Sequence, residues 1–178
     1  MKRGPFTFTR DRVIQVAVIV ALCVLGAFLP YLTLGYQDYA SQPIRPTHAL
    51  FRAADMISRL DLTYLPASDR LSQDALQPGI DLIHLGARAQ EAGLIVAILT
   101  AIGLCMDEVS KFVWWPLHLA GWVLALGAVA LLVGVRMLAG TGTDVHAWLG
   151  WLPLALAGVA AVVFTFRSHG RLDTYRGL

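Results

Sequence analysis

Apolar and polar positions divide the chain into four long apolar stretches and one long mixed segment. The apolar stretches are residues 13–36, 92–106, 112–135 and 147–166. A helix needs about 20 apolar residues to cross a bilayer, with a range of about 17 to 25. The first, third and fourth stretches meet that length directly. The second meets it if its helix begins at Arg88, whose long side chain can carry its charge outward. The expected spans are 13–36, 88–106, 112–135 and 147–166, with an outer loop over 37–87. Together they make one membrane domain covering residues 1–178. The predicted fold class is an all-α membrane protein with four transmembrane helices and a long outer loop containing an amphipathic helix.

That helix is expected over residues 47–60. After Pro46, Leu50, Ala53, Ala54, Ile57 and Leu60 recur at helical spacing, while Arg52, Asp55, Arg59 and Asp61 fall largely elsewhere on the wheel. Such a helix lies on the membrane surface or caps the bundle. A short helix over 69–76 follows, broken by Pro78 and Gly79. A new helix then starts at Ile80 and runs into span two. Pro30 and Pro153 fall inside spans one and four near their outer ends. Each is expected to kink its helix and splay the bundle on that side.

Composition supports the membrane reading. Of 178 residues, 57% are hydrophobic and 15% charged, and mean hydropathy is +0.62. A soluble domain carries about 25% charge. A formal net charge of +2 gives no reason to expect a nucleic acid as partner. Lys2, Arg3, Arg10 and Arg12 precede span one, whose apolar run exceeds the roughly 7 to 15 residues of a signal-peptide core. It is therefore read as a retained span. The Lys and Arg distribution predicts both termini on the cytoplasmic side. A bacterial inner membrane is the default location. Trp114 and Trp115 begin span three, Trp148 and Trp151 begin span four, and Tyr31, Tyr36 and Tyr39 mark the end of span one, all at headgroup level. The layout resembles the tetraspan plan of claudin-like proteins in topology only. Residues 37–90 hold neither the cysteines nor the tryptophans of the claudin loop, so the resemblance carries over no residue and no function.

The spans show ordered small residues. Gly93, Ala97, Ala101 and Cys105 recur every fourth position in span two, and Ala120, Gly127 and Gly134 every seventh in span three. Small side chains let helix backbones approach closely, either within a chain or between chains. Cys23 and Cys105 differ in depth by roughly 10–15 Å at a 1.5 Å rise per residue, so they are read as packing residues and not as a disulfide.

No catalytic motif is found, and the chain is read as a non-enzyme that needs no cofactor. The leading expectation is a non-catalytic accessory subunit of a larger integral-membrane complex, in contact with partner subunits and lipids. Its expected contact residues are Gly93, Ala97 and Ala101 on span two and Leu50, Ala54 and Ile57 on the outer helix. The alternative is a small membrane redox subunit that binds haem or quinone through His84, His146 or His118. A third reading, a lipid-handling enzyme, would use Asp81, His84 and Glu91.

Overall fold

The computed structural model describes residues 10–35, 50, 70–104, 110–140 and 144–176. In chain order these form α1 (Arg10–Phe28), β1 (Leu32–Gly35), α2 (Arg70–Gly103), α3 (Ser110–Gly140), β2 (Asp144–Ala147) and α4 (Trp151–Arg176). The architecture is helical, with one addition. β1 and β2 pair antiparallel, Leu32 opposite Ala147 and Gly35 opposite Asp144. Two helices are long and apolar enough to cross a membrane: Leu76–Gly103 in α2 and Phe112–Gly140 in α3. The apolar parts of α1 and α4, Arg12–Phe28 and Trp151–Phe166, are shorter.

Three expected boundaries change. First, α1 stops at Phe28, where span one was expected to continue to 36. Pro30 disfavours helical geometry at Leu29, the last helical bond runs from Leu29 N to Leu25 O, and the chain turns into β1. Second, residues 144–147 are strand, so α4 begins at Trp151 and not at 147. Pro153 then lies in the first turn of α4, where a missing N–H costs nothing. The two prolines therefore end or start helices instead of kinking them. The ends of α1 and α4 next to Pro30 and Pro153 do not splay: a methyl on Gly150 would fall 2.6 Å from the Pro30 carbonyl oxygen, and Gly150 N donates to that oxygen at 2.9 Å.

Third, α2 is one helix of 34 residues that runs through Pro78. No break occurs at Pro78 and Gly79. Pro78 is exposed while Gly79 is buried against α3. Packing therefore holds the helix across the missing hydrogen bond.

α2 and α3 form an antiparallel hairpin with a seven-residue repeat on each helix. On α2, Leu76, Gly79, Ile83, Gly86, Gln90, Gly93, Ala97 and Thr100 are spaced alternately by three and four, and all are buried. On α3, Leu117, Ala120, Leu124, Gly127, Leu131, Gly134 and Leu138 follow the same rule and are also buried. Large residues of one helix sit on glycines of the other. Leu138 covers Gly79, Ile83 covers Gly134, Gln90 covers Gly127 and Leu124 covers Gly93, while Gly86 meets the backbone of Gly127 and Leu131. This is knobs-into-holes packing, with glycine lowering the floor of each hole. The gap between backbones is small. A methyl on Gly86 would fall 2.6 Å from both Gly127 O and Leu131 N.

Candidate functional site

The polar groups inside the bundle form two separate ties. The first joins the end of α1 to the hairpin. Gln90 is the one strongly polar side chain among the large residues of the α2 repeat, and it is fully buried. Its Oε1 accepts from the Tyr31 hydroxyl, and its Nε2 donates to Leu124 O at 3.2 Å. Tyr31 is also fully buried. It is held there by the turn between α1 and β1, next to the bond from Trp148 N to Tyr31 O. One glutamine thus connects the α1–β1 corner, α2 and α3. A buried amide in an apolar seam fixes register, because any slip leaves it unpaired.

The second tie joins α3 to α4. His118 Nδ1 lies 2.8 Å from Thr165 Oγ1, and Trp122 Nε1 lies 3.1 Å from His118 Nε2. An indole N–H only donates, so Nε2 accepts. The imidazole proton is thereby assigned to Nδ1, which donates to Thr165 Oγ1. The Thr165 hydroxyl donates in turn to the carbonyls of Ala161 and Val162 at 2.9 and 2.8 Å. Trp114 Nε1 donates to Thr165 O at 2.8 Å. The rings reinforce the arrangement. His118 stacks on Trp114 with centroids 5.9 Å apart and meets Phe166 edge-on at 4.9 Å. Close backbone approach of Gly121 and Gly158 places α4 within reach of these side chains.

These contacts decide what the expected site residues can do. The lone pair of His118 Nε2, which a haem iron would need, accepts from Trp122. His84 is different. Its Nε2 is buried and has no hydrogen-bond partner. His146 lies on β2 opposite Thr33. Among the described residues, no group of three His, Cys, Asp or Glu side chains could hold a metal ion. Asp81 accepts from Gln77 Nε2 at 2.7 Å, and Glu91 pairs with Arg88 at 2.8 Å. Cys23 is buried and free. Cys105 falls outside the described residues.

The expected partner contacts on span two need correction. Gly93 faces Leu124 and Val123 of α3, and Ala97 and Ala101 are fully buried inside the chain. Their small side chains serve the hairpin and are not presented to another subunit. The reason is register: Gly93 and Ala97 fall on the seven-residue seam that Gly79 and Gly86 also follow. Leu50 is helical and fully buried. Ala54 and Ile57 lie outside the described residues.

Sequence reasoning missed Gln90, Tyr31 and Thr165 as a set, and it missed the α2 glycine heptad. The heptad was visible, since its spacing matches that of Ala120, Gly127 and Gly134 run in the opposite direction. Gln90 was visible as the only polar residue at a large position of that repeat. Thr165 carried no signal, because a threonine bonded to its own helix is common in apolar spans.

Comparison with protein-family models, with curated proteins and with solved structures finds no match for the chain.

Proposed function

We propose that the chain is a four-span integral-membrane protein that acts as a non-catalytic accessory subunit of a larger membrane complex. The observation that supports this most is the exposure of large apolar side chains on every helix. All four helices expose large apolar residues, including Leu25 and Phe28 on α1, Leu99 on α2, Leu126 on α3 and Leu156 on α4. The interior holds leucine and isoleucine packed against glycine and alanine, with Gln90, Thr100 and Thr165 among them. Water does not favour that arrangement, and a lipid environment does. With lipid outside, each buried polar group needs an internal partner. Gln90, Tyr31, His118 and Thr165 serve as such partners for one another, which fits a scaffold better than a reaction centre. The Lys and Arg bias supports cytoplasmic termini, and a bacterial inner membrane remains the proposed location.

Purification of the tagged chain in mild detergent, followed by mass spectrometry, tests the role. A larger membrane protein in fixed stoichiometry is the expected result. A chain that elutes without a larger protein, in full yield, would overturn the accessory reading. The second reading, a haem- or quinone-binding redox subunit, is favoured by one observation, the unpartnered Nε2 of His84. A visible absorption band lost in His84→Ala would establish it.

A further inference from the structure

We propose that the outer face of α2 is a contact between two copies of this chain, closed by a reciprocal ion pair. The inference rests on the membrane-spanning reading above.

α2 carries a second stripe on the side away from α3. Leu85, Arg88, Ala92, Ile95, Leu99 and Ile102 follow alternating steps of three and four, and all are exposed. Leu85 is 60% exposed and Leu99 64%. Arg88 and Glu91 are paired on this side, with side chains 46% and 20% exposed.

Their depth makes them unusual. Gly86 is abreast of Gly127 and Leu131, and Gly93 is abreast of Leu124. The ion pair therefore lies level with residues 124–127 of α3. The exposed apolar stripe of α3 runs from Phe112 through Trp115, Leu119, Trp122, Leu126 and Val129 to Val133. At 1.5 Å per residue that stripe is about 30 Å long, which matches a hydrocarbon core. The pair sits about 18 Å above its Phe112 end and about 10 Å below its Val133 end. Arg88 can extend toward the headgroups, but Glu91 is shorter and deeper. Charges at that depth are costly against lipid and usually face protein.

The pattern of charge selects a second copy as the occupant. Arg88 and Glu91 are opposite charges one turn apart on one face. A two-fold axis parallel to the helices brings each Arg88 to the partner's Glu91, so the surface is self-complementary. Ala92 lies one turn from Arg88 on the same exposed stripe and allows close approach. Leu85, Ile95, Leu99 and Ile102 continue the same seam above and below.

The test uses the full chain in native-like membranes, with dimer read by crosslinking and by mass in mild detergent. Ile95→Cys, in a Cys23→Ser and Cys105→Ala background, is expected to form a crosslinked dimer on mild oxidation. Trp115→Cys on the far face of α3 is expected not to. Arg88→Glu is expected to lower the dimer fraction about tenfold or more by placing like charges together. Arg88→Glu combined with Glu91→Arg is expected to restore it, which a nonspecific folding defect would not allow. An unchanged dimer in Arg88→Glu would overturn the proposal. So would a different protein, bound in fixed stoichiometry and lost in Arg88→Glu. Alkaline carbonate extraction separates the two levels of the argument. A carbonate-resistant chain that is monomeric removes the dimer alone, and a chain released by carbonate removes the membrane reading with it.

Discussion

α3 makes two joints of opposite kind. Against α2 it meets a helix almost backbone to backbone, through glycines filled by leucine, isoleucine and one glutamine. Against α4 it adds a chain of hydrogen bonds through Trp122, His118 and Thr165 to one glycine contact. The first joint is steric and sets distance and register over the length of the hairpin. The second is polar and local, and sets the rotation of α4 at one end. On the membrane-spanning reading proposed above, hydrophobic burial cannot choose between arrangements, so shape and hydrogen bonding must. The contrast predicts that damage to the steric joint costs more than damage to the polar one.

The largest effect is expected at Gly86. Its methyl would meet backbone atoms of Gly127 and Leu131. Backbone cannot rotate away, so Gly86→Ala has to push the helices apart. Overpacking of this kind costs about 1 to 3 kcal/mol and occasionally more, and this case belongs at the upper end. Thermal unfolding in detergent is expected to show a lowered Tm. A Tm equal to wild type would mean that the seam is not the main joint.

Gln90 comes next, because it belongs to both kinds of contact. Gln90→Leu keeps the knob over Gly127 but leaves the buried Tyr31 hydroxyl without its acceptor. An unsatisfied buried group costs about 1 to 3 kcal/mol. Tyr31→Phe in the same chain is expected to recover part of that loss. A double-mutant cycle with a coupling near zero would show that the two side chains act independently.

The same contrast explains what the sequence could reveal. The steric joint leaves a trace in it, since glycines and large residues at a seven-residue period are a linear pattern. Ala120, Gly127 and Gly134 were read that way, and Gly79, Gly86 and Gly93 obey the same rule. They went unread because Pro78 next to Gly79 signalled a break, although the fold runs α2 straight through it. The polar joint leaves little trace. His118 and Thr165 are 47 residues apart, and only the antiparallel register of α3 and α4 brings them together. The ribbon was hidden for a similar reason. β1 and β2 are four residues each, and their pairing depends on where α1 and α3 end.

A smaller effect is expected for His118→Phe. It removes the bonds to Thr165 and Trp122 but keeps an aromatic ring beside Trp114 and Phe166. Interhelical hydrogen bonds in membrane proteins average about 0.6 kcal/mol and reach about 1.7. The expected loss lies in that range, below Gly86→Ala. Release of Trp122 is expected to shift the tryptophan fluorescence at the same time. A loss exceeding that of Gly86→Ala would reverse the ranking of the two joints.

The smallest effect is expected at Gly140, at the end of α3, where a methyl would find nothing within 4 Å. Replacement by alanine gains about 1 kcal/mol of helix propensity at most in the interior position Gly86, and less at the helix end Gly140. The larger difference is in their surroundings. Gly140→Ala is expected to leave Tm unchanged or raise it slightly, and the difference between the two variants then isolates the steric cost at the seam. If Gly140→Ala destabilised the chain as much as Gly86→Ala, glycine flexibility and not helix contact would be what the hairpin needs.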